Sequence, residues 1–577
     1  MMATNATVQT GSPPRSAPLL FERLRSRSAQ QAGWLTIACI VLAIFSLMPL
    51  VALILRGFVE TEGGKLVLTF DAIRTVMGQS GYWLAAWNTV VISIGSMVLA
   101  AVIGVVLAWC LVRTNVPFAR TLEQLATMPI FIPPFVGAFA WVLIGAPRIG
   151  LFNLPATGLG LAEPLDIYTY TGIIWTTGIY IAPYVMMIVA AALRNMDPSL
   201  EEAAQVSGLS RVRTMLQITL PVVAPSILSG AVLAFVISIG LFGTPVLLGM
   251  TKEIYLLTSR IYLELQQFPP SFGIVAVLAI YLMILSVIAN LLQSWALRGR
   301  SFVTVTGKGF RPRIIHLAAG RYVVAGIIWL YLLLTVIGPI IIIIAAALST
   351  YTWSGKWTWA NITFLWQSDD VSATLVNSLL ITLIAATAAT VLGLAVSWIS
   401  TRTRMRGRHL LEHVVLLPMS VPSLAFALGV SFFWLWMPWT VYGTIWIIII
   451  GLIGRYVSYS VRTITSSLVQ IHPELEESAR ISGFGWGSTM LRVTLPLVFP
   501  AIISSWVMVY SIFISELSMV LPLYTASTRT LSILSFDTWA VGEFSQVAAL
   551  SFLQLVLGAG VMWVVTLMTK QRQAAAI

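Results

Sequence analysis

The residues best placed to do chemistry in this sequence are two short acidic islands in a chain that is otherwise mostly hydrocarbon. "EEAAQVSG", from Glu201 to Gly208, recurs as "EESARISG", from Glu476 to Gly483. The residue types suit a docking helix, not a catalyst. Asp197 and Pro198 supply an N-cap and a first helical position, and Glu201 and Glu202 lie near the positive end of the helix dipole. Gly208 ends the helix where a left-handed residue is wanted. Pro473, Glu476, Glu477 and Gly483 repeat the plan, with His472 as a poorer cap than Asp197. Ala203 and Ala204, or Ser478 and Ala479, leave one side of each helix able to approach another surface closely. A single such segment could be a mere connector; two at equivalent places point to a pair of docking sites.

Ionisable groups inside apolar runs are costly and suggest function by default. Arg455 and Glu516 are two such groups: they line a translocation path, or they cancel one another as a buried pair. No G-x-x-x-x-G-K-[ST] occurs, because "GGKL" at Gly63 and "GKGF" at Gly307 lack the following Ser or Thr. The chain is therefore not expected to hydrolyse ATP itself. The histidines His316, His409, His413 and His472 form no cluster at metal-ligand spacing, and no nucleophile constellation of an enzyme is present. Cys39 and Cys110 fall in apolar runs and read as small core residues. No catalytic residue, bound metal or cofactor is expected.

Membrane helices must hold these groups in place. Of 577 residues, 58% are hydrophobic and 9% charged, and the mean hydropathy is +0.91, which excludes an ordinary soluble globule. Runs of about 20 apolar residues, the length that spans a bilayer, occur at 34–55, 84–112, 125–144, 172–193, 222–250 and 272–297. Six more follow at 322–348, 374–399, 414–436, 442–468, 501–524 and 544–568. The fold class is thus an all-α polytopic membrane protein of about 12 transmembrane helices. The first run follows a basic tail without a cleavage region and is expected to be a retained helix. The net charge of +12 would suit nucleic acid, but its placement decides otherwise. Arg113 and Arg120, the basic stretch 298–321, and Arg402, Arg404, Arg406 and Arg408 mark alternate connections. By the positive-inside rule these connections and both termini are cytoplasmic.

The chain is also one unit written twice. A shift of 275 carries Glu202 onto Glu477, Gly208 onto Gly483, Pro221 onto Pro496 and Pro225 onto Pro500. Earlier in each half a shift of 289 carries Asn88 onto Asn377, Gly104 onto Gly393, Trp109 onto Trp398, Glu123 onto Glu412 and Pro129 onto Pro418. The extra chain in the first half falls in a Gly- and Pro-rich stretch between the third and fourth spans, an outward loop. Six helices per half make the halves parallel repeats. Both islands then lie on the cytoplasmic side, between the fourth and fifth spans of their own half. The expected organisation is a cytoplasmic tail at 1–33, a first transmembrane half at 34–297, a cytoplasmic linker at 298–321 and a second half at 322–570.

"EEAAQVSG" with "ITLP", and "EESARISG" with "VTLP", resemble the cytoplasmic loop of type-1 permeases of ABC importers: Glu-Ala-Ala, then glycine, then Ile-x-Leu-Pro. Ser478 and Val493 depart from that pattern. The resemblance implies that each island is a coupling helix seated in a groove of a cytoplasmic ABC ATPase, itself a homodimer. It further implies a periplasmic or extracellular solute-binding protein as partner and the bacterial cytoplasmic (inner) membrane as location. The fused, duplicated layout, with "FGTPVLLG" (242–249) and "RYVSYSVR" (455–462), resembles bacterial ferric-iron permeases more closely than those for thiamine or phosphonates. An ion-coupled secondary transporter would instead be expected to carry broken midplane helices and coupling acids.

Overall fold

The computed structural model describes residues 40–62, 65–160, 165–296, 314–403, 407–472 and 474–575. The N-terminal tail, Cys39, Arg404, Arg406, Pro473, and the linker residues Arg298, Arg300, Lys308, Arg311 and Arg313 lie outside the described residues. Among the described residues, nine helices are long and apolar enough to cross a membrane, two more spans are bent helix pairs, and Ile40–Arg56 is a shorter apolar helix. The chain is all-α with about twelve spans in two repeats. The strands Val59–Glu62 and Lys65–Leu68 form one antiparallel hairpin in the connection after the first span.

Four of the apolar runs are not the continuous helices that hydropathy suggests. In the third run Ala119–Phe131 meets Pro134–Gly145 at 96°, and in the ninth Leu411–Ser420 meets Ser423–Trp436 at 114°. Proline disfavours helical backbone in the residue before it. Ile132 and Val421, which precede Pro133 and Pro422, accordingly take extended ψ values of 121° and 134°. The fifth and eleventh runs also stop early. Leu220–Gly240 ends before the separate helix Gly243–Gly249, and Leu495–Ile514 ends before the turn that holds Glu516. Broken helices are the feature expected of a secondary transporter, so their presence in both halves removes it as a way of separating the two classes.

The halves interlock through their first helices. Met48–Arg56 of the first half packs against Ser423–Trp436 of the second. The approach is possible because glycines face it: a Cβ on Gly429 would lie 2.2 Å from the Pro49 carbonyl oxygen, and one on Gly454 2.1 Å from that of Phe45. Ser46 Oγ donates to the Gly454 carbonyl at 3.0 Å. In the reciprocal direction Tyr331, on the first helix of the second half, donates to the Ile179 carbonyl at 3.0 Å. Rings complete the seam, with Phe536 against Phe135, Phe242 and Tyr262 at centroid distances of 6.2, 5.6 and 5.5 Å.

Two long helices bring the islands within reach of the spans. Ser80–Arg113 and Asp369–Arg402 each contain 34 residues. At 1.5 Å per residue each is about 50 Å long, against a hydrocarbon core of about 30 Å. Their last turns therefore project from the core and carry Arg113 and Arg402 to the islands.

Candidate functional site

Both islands fold as short helices, Pro198–Val206 and Glu474–Ile481. The Asp197 carboxylate accepts from the Ser199 backbone N–H at 2.9 Å, as an N-cap should. At the other ends Gly208 and Gly483 take φ values of +84° and +87°, in the left-handed region. Leu209 N–H then reaches back to the Ala204 carbonyl, and Phe484 N–H to that of Ala479, each at 3.1 Å. These bonds satisfy carbonyls that a helix end would otherwise leave open.

The ten island residues singled out in the sequence fall into two groups. Glu202, Ala203 and Gly208, with Glu477, Ser478 and Gly483, are exposed. Glu201 and Ala204, with Glu476 and Ala479, are buried. The exposed face also holds residues that sequence reasoning missed. Val206 is 90% exposed and Ile481 88%, and they are equivalent under the 275 shift. Leu200 and Leu475, a second equivalent pair, are exposed as well. Each helix thus presents an acid, a small residue and two apolar side chains.

The buried glutamates have partners within the chain. Glu201 Oε2 lies 3.4 Å from Arg113 Nη1, and its Oε1 accepts from Thr219 Oγ1 at 2.7 Å. In the second half Glu476 Oε1 lies 3.3 Å from Arg402 Nε and accepts from Thr494 Oγ1 at 3.1 Å. Arg402 Nη2 also donates to the carbonyls of Leu468 and Ile471, at 2.9 and 2.7 Å, where the preceding span ends. Arginine and threonine were legible in principle. Arg113 maps onto Arg402 by 289 and Thr219 onto Thr494 by 275, yet position in the sequence marks the arginines only as topology signals.

Arg455 and Glu516 lie in the second half beside the seam, and no ion pair within 4 Å joins them among the described residues. Tyr456 stands between. Its hydroxyl donates to Glu516 Oε2 at 2.7 Å, and the Arg455 guanidinium carbon lies 5.3 Å from its ring centroid. Glu516 Oε1 accepts from the Met519 N–H at 2.9 Å and so fixes its own turn. Arg455 is buried, and among the described residues its Nε and Nη1 have no hydrogen-bond partner. The two are neither joined directly nor matched in the first half, where Tyr180 and Leu241 hold the equivalent positions. The first half meets this region at Gly240, where a Cβ would lie 3.4 Å from Pro422 Cβ at the ninth-span elbow.

The family model described as "Binding-protein-dependent transport system inner membrane component" matches residues 100–301 and 389–572. The two matches begin 289 positions apart, the shift that relates the halves. The chain is 24% identical over 557 residues to the ferric transport system permease protein FbpB of Actinobacillus pleuropneumoniae, covering 94% of this chain and 79% of that one. It is 26% identical over 528 residues to FbpB 1 of Haemophilus influenzae, covering 89% and 81%. It is 29% identical over 221 residues to the molybdenum transport system permease protein ModB of Escherichia coli K12, covering 37% of this chain and 93% of that one.

Proposed function

This chain belongs to the family of binding-protein-dependent transport system inner membrane components, and we propose that it is the fused permease of an ABC importer for ferric iron. It is a multi-pass membrane protein and a transport subunit, not an enzyme. ATP is hydrolysed by a separate cytoplasmic ATPase homodimer, one subunit under each island helix. A binding protein delivers ferric iron to the outer face, and both termini are cytoplasmic. The path runs between the halves near Arg455 and Glu516. Support for the cargo comes from two of the relatives that cover most of the chain, which carry ferric transport system permease names; a third, the probable ABC transporter permease protein y4fN of Sinorhizobium fredii, names no cargo.

The observation that carries the docking role is the repeated exposed face. Val206 and Ile481 are almost fully exposed apolar side chains at equivalent ends of two capped helices, and isolated from any partner they gain nothing from burial. A groove in an ATPase would cover them. The test is Val206→Glu with Ile481→Glu, co-expressed with the partner ATPase. Because both sites are exposed, folding is expected to change by less than about 0.5 kcal/mol. Co-purification of the ATPase is expected to be lost. Retained co-purification and normal ATP-dependent uptake in the double variant would refute the docking assignment.

A further inference from the structure

We infer that Glu201 and Glu476 are latches that tie each docking helix to two membrane helices, and that ATPase movement reaches the path through them. The inference rests on the proposed coupling role of the islands and assigns their buried acids a different task from the exposed ones. Each carboxylate holds two partners from separate spans. Arg113 and Arg402 end the long second and eighth spans. Thr219 and Thr494 begin the fifth and eleventh.

The threonines occupy a telling place. Each is the last residue of a five-residue π-helical turn, Met215–Thr219 or Met490–Thr494, directly ahead of Leu220–Gly240 or Leu495–Ile514. A π turn accommodates one more residue than α-helical geometry allows, and such turns occur frequently at functional sites. The far ends of these two helices reach the seam. Gly240 faces Pro422 of the opposite half, and Ile514 leads into the turn where Glu516 accepts from Tyr456. A displaced docking helix therefore pulls on its carboxylate, the carboxylate on the threonine, and the threonine on a helix that ends at the path.

Packing alone does not call for this arrangement. Apolar residues of similar volume would fill the same space without taking charges out of water, so a buried ion pair is weak as a stabiliser. What the carboxylates supply is direction and register, since the bonds they accept from the Thr219 and Thr494 hydroxyls have a preferred geometry. Both halves use the same three residue types at equivalent positions, which gives the two sides matched transmission.

The test uses the complete transporter, this chain with its ATPase, in proteoliposomes supplied with ferric-loaded binding protein. Two double variants are compared with the unaltered chain: Glu201→Gln with Glu476→Gln, and Thr219→Val with Thr494→Val. The second keeps side-chain shape and removes only the hydroxyls. The ATPase is expected to co-purify with both variants, while iron taken up per ATP hydrolysed falls about fivefold to tenfold, a typical coupling loss. An unchanged ratio overturns the latch. So does a parallel loss of co-purification and uptake, which marks a purely architectural role. If the glutamine variant fails to insert, the valine variant decides alone. Failure of any ATPase to co-purify with the unaltered chain would sink the coupling reading itself.

Discussion

At the scale of residues, two neighbouring acids turn out to have opposite surroundings. Glu201 is buried against Arg113 and Thr219 while Glu202 faces out, and Glu476 and Glu477 repeat the contrast. Successive residues on a helix point about 100° apart, so one of each pair must turn inward. Which one does so depends on an arginine 88 positions away in the first half and 74 in the second, and local reading could not choose. The glycines were legible, because a left-handed helix end favours glycine wherever it occurs. No atom of the described residues lies within 4 Å of a Cβ built on Gly208 or Gly483, so a substitution there acts through the backbone. Proline, fixed near φ −65°, is incompatible with their positive φ. Gly208→Pro or Gly483→Pro is therefore expected to abolish stimulated ATP hydrolysis and uptake while the protein stays inserted, as measured in membranes and proteoliposomes. Arg455 and Glu516 invite a second experiment. Each alanine variant is expected to lower uptake, and because Tyr456 separates the two groups, Arg455→Ala/Glu516→Ala should do no better than the worse single variant. Full uptake and normal yield of the double variant would return them to a structural pair outside the path.

At the scale of elements, the islands, the repeat and the number of spans were readable, whereas the direction of several spans was not. Hydropathy reports that a segment is apolar but not that its backbone bends. Pro133 and Pro422 carried the missing signal, since the residue before each is forced out of the helix. The crossing of the first helix onto the opposite half had no local signature at all. It depends on Gly429 and Gly454 meeting the Pro49 and Phe45 carbonyls, contacts between residues 380 and 409 positions apart. Gly454→Ala is expected to force that helix away and cost roughly 1–3 kcal/mol. A lowered unfolding temperature of the detergent-solubilised chain checks this, with Gly560→Ala as a control because no atom of the described residues lies within 4 Å of its Cβ position.

At the scale of the whole molecule, two equivalent halves share one seam, and each half carries one short island helix ended by a left-handed glycine. Under the coupling role proposed above, a symmetric motor acts on a single path: the ATPase closes beneath both helices, and the halves rock against each other. In that proposal the unmatched Arg455 and Glu516 make the path itself asymmetric, although the drive is not. The most direct measurement of the account is uptake of radioactive ferric iron by proteoliposomes containing the purified chain. The account predicts uptake only when the partner ATPase, hydrolysable ATP and iron-loaded binding protein are all present, with no response to an imposed proton or sodium gradient. Uptake driven by such a gradient, without ATP or the ATPase, would contradict it.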